Sequence, residues 1–367
     1  MTPPTDLLGA LDVRVRLPER LDRGIGIVGA GAIVDAAHLP AYRQAGFNVV
    51  AIADTDSRAA QRAAAKWEIP RVYDHAQGLL DDDGVDIIDI AVSPEAQPAI
   101  AHSAIATGRS VLCQKPLAPD LKAAGELVSA ASHAGVRLAV NQQMRWEPVV
   151  RANKLLLEAG HFGVPAGALY DVDVATPWES WPWLAAVGQL EYRYHSIHYL
   201  DSVRYLFGDP VAVTASVARY PGQTVEGETR TFTVLEYTGT LTVAILVNHN
   251  NWSTQPRAVI RCEGTAGRSE GRLGLFEDYP TGGPHSISFE EREEHGISSR
   301  TFDERWFPDA FAGPMAELQL AIEEDREPLT SGRDNLATLA LVDAAYRSAT
   351  DGRRVALDAT QAVVSMS

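Results

Sequence analysis

Cysteine is nearly absent: Cys113 and Cys262 are the only two in 367 residues, far apart and without the paired spacing of a zinc site. Their scarcity argues against a disulfide scaffold and a cysteine metal centre together, and it fits a reducing compartment. Positive charge is also short, since 32 lysines and arginines against 48 aspartates and glutamates leave a formal net charge of −16. A field of that sign repels phosphate backbones and anionic lipids, so neither nucleic acid nor membrane is expected as a partner. No apolar run approaches membrane-spanning length, and the stretch Met1 to Arg23 mixes Pro, Asp, Glu and Arg where a signal peptide would need an unbroken apolar core. A cytoplasmic protein is expected. What the chain does have is apolar content, 46% of its residues, which is enough for a substantial core. Single cores stop growing at roughly 250 to 300 residues, so two packed units are predicted.

From Gly24 to about Asn141, short doubly apolar runs alternate with Ala-rich amphipathic segments, the pattern of buried parallel strands and crossover helices. Strands are predicted at Ile25 to Val28, Val49 to Ala53, Asp86 to Val92, Val111 to Cys113 and Leu138 to Val140, with helices near 32–45, 56–67, 95–107 and 119–134. Gly46, Gly108 and Gly135 stand where left-handed caps would close three of these helices. Beyond Arg145, alternating runs such as Thr231 to Tyr237, Leu241 to Val247 and Ala258 to Cys262 follow one another without intervening helices, which implies an antiparallel or mixed sheet. Helices near 191–207 and 334–349 flank it, and the Gly-, Glu- and Ser-rich segment 265–300 reads as loop or edge strand. The fold class expected is α/β: an N-terminal doubly wound parallel sheet over 24–143, then an α+β domain over 144–367 with an open-faced, mainly antiparallel sheet. Residues 1–23 read as an extension that either wraps a neighbouring subunit or is mobile.

The sequence Gly24-Ile-Gly-Ile-Val-Gly29-Ala-Gly31-Ala-Ile-Val34 offers two registers for a G-x-G-x-x-G match. The one beginning at Gly24 lies inside the first strand and has no phosphate to meet. The physically meaningful one begins at Gly29, where the strand ends: a tight turn at Gly29 and close backbone approach at Gly31 and the following Ala32 and Ile33 suit a dinucleotide pyrophosphate. Its third position is Val34, a departure that bears on helix packing more than on phosphate contact. An ordinary buried βα turn would look the same, so Asp54 tips the balance. It follows the second strand about 20 residues on, where a carboxylate accepts ribose hydroxyls and repels a 2′-phosphate. NAD is therefore expected over NADP, although Arg58 lies close behind. The competing role for Asp54 is a helix N-cap, which Asp56 could fill equally well.

The strand Val111 to Cys113 runs into Gln114-Lys115-Pro116, placing a lysine at the C-terminal edge of a parallel sheet, where such folds bind ligands. Lysine at a strand end is more often merely solvated. The wider pattern is more specific. Gly29-Ala-Gly-Ala-Ile, Ala53-Asp54-Thr-Asp56, Gly108-Arg-Ser-Val-Leu-Cys-Gln-Lys115-Pro116-Leu, Met144-Arg145-Trp-Glu-Pro148, His198-Tyr-Leu-Asp201 before Leu206-Phe-Gly-Asp-Pro210, and Ala344-Ala-Tyr-Arg-Ser348 before Gly352-Arg-Arg-Val355 occur in order. Together they resemble the Gfo/Idh/MocA oxidoreductases, over nearly everything from Gly24 to Leu357.

The resemblance implies that Lys115 matches the lysine of a Glu-Lys-Pro motif beside the nicotinamide, with Gln114 in place of the usual Glu. It implies nicotinamide-side contacts from Ser93, Pro94 and Gln97, the last standing where the family has His. It also implies an Asp-x-x-x-His on a C-terminal-domain helix, one turn placing both side chains on one face. Here the run is Tyr194-His-Ser-Ile-His198, so the His matches and the Asp does not. A neutral imidazole with a pKa near ~6.5 suits removal of a hydroxyl proton, which makes His198 the candidate base and Lys115 the ammonium that stabilises the developing alkoxide. Tyr194 or His195 would replace the Asp as orienting group. The other readings of this helix are a polar flank of His195, His198 and Asp201, and a metal site; no metal is expected, because no second ligand cluster is visible.

Pro177-Trp178-Glu-Ser-Trp181-Pro-Trp183 packs three of seven tryptophans into six residues. Aromatic faces suit the C–H faces of sugars and cyclitols, but a Trp-rich loop filling an interface reads equally well. Gln143 and Arg145 follow the last Rossmann-like strand and either line the same cleft or, for Arg145, brace the hinge by an ion pair. The expectation is an NAD-dependent dehydrogenase for a sugar, cyclitol or related polyol, acting between two domains and assembled as a homodimer or homotetramer. The rivals are a redox-inactive NAD- and sugar-binding regulator and an NAD-dependent glycosidase on the same fold.

Overall fold

In the computed structural model, the residues described are 7–277, 279, 282–293 and 296–357, with the side chain of residue 179 left aside. Two compact units emerge. The first gathers Val15–Gln143 and Trp306–Leu339, and the second gathers Met144–Arg305 with the described residues of 1–14 and 340–361.

The first unit is built on six parallel strands: β1 (Ile25–Val28), β2 (Val49–Ala53), β3 (Arg71–Tyr73), β4 (Ile87–Ile90), β5 (Ser110–Cys113) and β6 (Leu138–Val140). Their order is β3-β2-β1-β4-β5-β6. The crossovers carry α1 (Leu39–Ala45), α2 (Ser57–Trp67), α3 (Ala76–Leu80), α4 (Gln97–Ala106) and α5 (Leu121–Ala134). β1, β4 and β6 are buried at every residue because helices cover both faces, which is why they read as continuous apolar runs. Chain order reverses between β1 and β4, and it is beyond the carboxyl ends of strands at such a point that open α/β sheets take ligands.

In the second unit a nine-stranded sheet runs β14-β13-β12-β11-β7-β10-β9-β8-β15. Its members are β7 (Pro165–Asp173), β8 (Ala212–Ala218), β9 (Arg230–Glu236), β10 (Thr242–Asn248), β11 (Arg257–Gly264), β12 (Gly267–Arg272), β13 (His285–Glu291), β14 (Ile297–Phe302) and β15 (Val355–Ala356). All pairings are antiparallel except β7 with β10. Burial alternates along β9, β10, β11 and β12, so one face is packed and the other open. The packed face carries Tyr170, Val172, Leu235, Val243, Ile245 and Ile260; α6 (Pro148–Glu158) lies against β12 and β13 and packs on α7 (Ile197–Phe207). On the other face Phe232 and Val234 remain 46% and 41% exposed.

Three sequence readings are corrected. Segment 265–300, read as loop or edge strand, supplies β12, β13 and β14, and only β14 is an edge; Gly267, Ser269 and Gly271 are small inward positions that hide the alternation from an apolar count. Trp306–Leu339, assigned to the C-terminal domain, belongs to the first unit, where α8 (Ala312–Glu323) packs on β5 and β6. The described part of the N-terminal extension is anchored. Leu8 and Val13 are buried and Arg300 donates to the carbonyls of Leu8 and Leu11 in the second unit, while Arg16 and Arg23 pair with Glu324 and Glu323 in the first. No described helix is long and apolar enough to cross a membrane.

Candidate active site

Strand β1 ends at Gly29, whose N–H donates to Ala53 O at 2.8 Å and whose φ is +112°. A Cβ here would stand 2.4 Å from the Ala91 carbonyl oxygen, so the turn requires glycine both for conformation and for space. At Gly31 the situation is opposite: a Cβ would meet nothing within 4 Å, and Gly31 and Ala32 are exposed, with Ile33 partly so. Gly31 is open on the side a ligand would approach, which fits a dinucleotide backbone contact. Val34, where the fingerprint has its third glycine, is fully buried, and a π-helical turn over Val34–His38 precedes α1.

Asp54 binds the glycine turn directly. Its Oδ2 accepts the Ala30 N–H at 2.7 Å and its Oδ1 accepts the Asp56 N–H at 2.8 Å. The N-cap of α2 is Asp56, which accepts from Arg58 and Ala59, so the capping role proposed as the alternative for Asp54 belongs to its neighbour.

Lys115 follows β5, half-buried, and its peptide bond to Pro116 is cis. Burial draws its ammonium down from 10.5 to about 8. Two amides hold this turn. Gln114 Oε1 accepts the Lys115 N–H at 2.8 Å. Gln97, at the start of α4 and 1% exposed, accepts the Gln114 N–H at 3.0 Å and donates to the carbonyls of Gln114, Pro116 and Leu117 at 2.7, 3.0 and 2.9 Å. The Gln97 amide, expected at the nicotinamide, is thus occupied by the loop. Nearby in the preceding turn, Ser93 is exposed and Pro94 is buried. Beyond β6, Asn141, Gln142 and Gln143 are 0%, 1% and 2% exposed; Asn141 Oδ1, both amide atoms of Gln142 and Gln143 Oε1 have no protein partner among the described residues. Each such atom costs roughly 1 to 3 kcal/mol, which a hydroxyl-rich ligand or ordered water would offset.

The helix expected over 191–207 is two pieces, a π-helical turn over Tyr192–Ser196 and α7 from Ile197. The wider turn alters the one-turn relation on which the Asp-x-x-x-His reading rests. Tyr194 lies in an apolar cluster with Trp178, Leu184, Leu190 and Val225, its ring edge-on to the half-exposed Trp183. The tyrosine is therefore packed against hydrophobic side chains where the family has a carboxylate. His198 is buried, at 8% exposure. Trp178 is also buried and meets the rings of His195 and His249 at 5.0 and 5.5 Å, while Trp181 meets Tyr279 at 5.7 Å. Of the three tryptophans Trp183 is the most exposed, at one half, and Trp178 belongs to the core.

Arg145 forms a bidentate ion pair with Asp201, 2.7 Å from each nitrogen to its oxygen, and both side chains are buried. Asp201 is thereby turned to Arg145, and the ion-pair reading of Arg145 is the one this unit contains. Sequence reasoning missed a second buried polar group. His249 lies 4.6 Å ring to ring from His195, 3.2 Å from Glu191 Oε1 and 2.7 Å from Thr176 Oγ1, and Ser196 donates to the same Glu191 oxygen at 2.6 Å. Glu191 and His249 lie far apart in sequence, and only the pairing of β10 with its neighbours brings the histidine to the helix.

Residues 23–142 match the family described as an oxidoreductase family with an NAD-binding Rossmann fold, and residues 156–357 match its C-terminal alpha/beta domain. The chain is 30% identical to a D-apiose dehydrogenase of Paraburkholderia graminis over 92% of this chain and 90% of that protein. It is 29% identical to an inositol 2-dehydrogenase of Saccharopolyspora erythraea, covering 79% and 86%. An oxidoreductase from Agrobacterium radiobacter, solved with NAD+, L-tartaric acid and magnesium, superposes with a TM-score of 0.80 at 25% identity, over 91% of this chain and 98% of that one. Matched along both domains and carrying the glycine turn, its aspartate and the lysine turn in order, the chain belongs to the Gfo/Idh/MocA oxidoreductase family.

Proposed function

We propose that this protein is an NAD-dependent dehydrogenase acting on a secondary alcohol of a sugar, cyclitol or related polyol. The observation that carries this reading is the Lys115 turn, held by two amides at the C-terminal edge of the parallel sheet in a chain of this family. The relatives named for apiose and inositol support the substrate class. Gly29, Gly31, Ala32, Ile33 and Asp54 would hold the adenosine and pyrophosphate portion, and Ser93, Pro94, Gln114 and Lys115 the nicotinamide side. Bound there, NAD supplies the hydride acceptor.

Lys115, as an ammonium, donates a hydrogen bond to the carbinol oxygen and stabilises the negative charge that grows on it. His198 takes the hydroxyl proton. Tyr194 or His195, on the turn that precedes His198, orients the imidazole. Gln143 and its neighbours after β6 offer buried amides to the remaining hydroxyls. Trp183, half-exposed, is the tryptophan with a face for a sugar, and Trp178 and Trp181 support its loop. The two buried, unpaired cysteines agree with residence in the cytoplasm, and the open sheet face bearing Phe232 and Val234 is the surface for a homodimer or homotetramer.

The test is NADH formation screened over free sugars, inositols and sugar acids, followed by Lys115→Ala and His198→Ala on the best substrate. His198→Ala should bind NADH normally, Lys115→Ala should bind it with a modest loss at the nicotinamide end, and both should lose most turnover. Full activity in both would refute the assigned roles, and no net NADH from any polyol would refute the reaction.

A further inference from the structure

Against the lysine turn lies a buried pair, His38 and Asp89, to which the proposed chemistry gives no role. His38, on the π-helical turn after the glycine loop, is 0% exposed. Its Nδ1 lies 2.7 Å from Asp89 Oδ2, and Asp89, also 0% exposed, is the one charged residue in the strand Ile87–Ile90. Tyr42 donates to the same Asp89 oxygen at 2.8 Å. On the other side of the ring, Nε2 faces two amide nitrogens, Gln114 Nε2 at 3.1 Å and Asn141 Nδ2 at 3.2 Å. Phe311 packs on the ring with centroids 5.3 Å apart.

These contacts fix the proton. A carboxylate at Nδ1 requires Nδ1–H, and amide N–H donors at Nε2 require a bare lone pair there. Gln114 then has both ends engaged, its nitrogen on His38 and its oxygen on the Lys115 N–H. A glutamate at 114, as the family usually has, would present an oxygen to Nε2 and demand a second proton on the ring. The amide in this chain matches a neutral imidazole instead.

We propose that His38, oriented by Asp89, is a positioning residue that sets the Lys115 turn through Gln114. The proposal rests on the assignment of Lys115 to the reaction, but its geometry is independent of substrate. The titratable groups around the ring are Asp89 and Tyr42, with Cys113 near enough for Asp89 to help hold its thiol up.

Two measurements on the full-length protein test it. Histidine 15N spectra of the wild type should show His38 protonated at Nδ1 alone; a proton at Nε2 would overturn the proposal. Competitive acetylation of the Lys115 amine as a function of pH, read by peptide mass spectrometry without substrate, should give a midpoint near 8 in the wild type. In His38→Leu the freed turn lets water reach the amine, and the midpoint should rise toward 10.5. His38→Gln restores an acceptor for Gln114 and should hold the midpoint low. Turnover in His38→Leu should fall roughly tenfold to a hundredfold, with His38→Gln recovering most of it. Unchanged acetylation in a folded His38→Leu would overturn the proposal. Because that readout uses no substrate, it stands even if the wild type oxidises no polyol, an outcome that would refute the proposed reaction alone.

Discussion

The carboxylate of Asp54 accepts the backbone N–H of Ala30 at 2.7 Å, so the residue after β2 holds the turn after β1 in place. Removing it has two consequences. Asp54→Ala should weaken NADH binding about tenfold, since a charge-assisted hydrogen bond and the ribose acceptor are both lost. The same change should narrow the preference for NADH over NADPH, because no carboxylate then opposes a 2′-phosphate. Equilibrium binding of both cofactors measures this.

The two glycines of the turn should behave differently. Gly29→Ala forces a Cβ against the Ala91 carbonyl at positive φ and should lower stability by roughly 1 to 3 kcal/mol, seen as a drop in Tm. Gly31→Val has open space for its side chain and should leave Tm nearly unchanged while abolishing NADH binding. Normal cofactor affinity in Gly31→Val would show that the backbone at this point meets no ligand.

Lys115 should give activity an alkaline limb. Its ammonium, lowered to about 8 by burial, is lost as pH rises through that value, so kcat/KM for alcohol oxidation should fall above pH 8. Stability should move the other way. Between about 8 and 10.5 the unfolded chain binds a proton that the folded one does not, so the contribution of Lys115 to stability rises with pH in that window. Lys115→Met should remove the extra rise, measured by Tm at pH 8 and 10.

Arg145 should report on stability first. Truncating it leaves Asp201 buried without its bidentate partner, Arg204 standing 3.9 Å away, and Arg145→Ala should lower stability by roughly 3 kcal/mol in chemical denaturation. A large rise in KM with unchanged stability would instead place the guanidinium on substrate.

Much of the first sheet was legible because its strands are buried on both faces and its helices repeat with small residues and clear caps. Asp120 and Gly135 close α5 at its two ends as their residue types require. The second sheet was only partly legible. β7 lies between β10 and β11 yet begins Pro-Ala-Gly and alternates clearly only from Tyr170 to Asp173, and β12 fills its inward positions with Gly and Ser, so the apolar alternation of β9 and β10 is short in the one and hidden in the other. Helices α6 and α8 were also missed, although α6 carries the proline at its first turn and the apolar spacing that announce a helix.

The sequence alone determined the glycine turn, the lysine at the strand end, the acidic surface and the family, because each depends on residue type at short spacing. Tertiary structure decided what those residues touch. It made Gln97 a brace of the lysine turn, tied Arg145 to Asp201, buried Tyr194 among apolar side chains, and joined His38, Asp89 and Gln114 from three distant segments. A hydrogen bond needs about 3 Å between atoms, and separation along the chain says nothing about that distance until strands have paired and helices have packed.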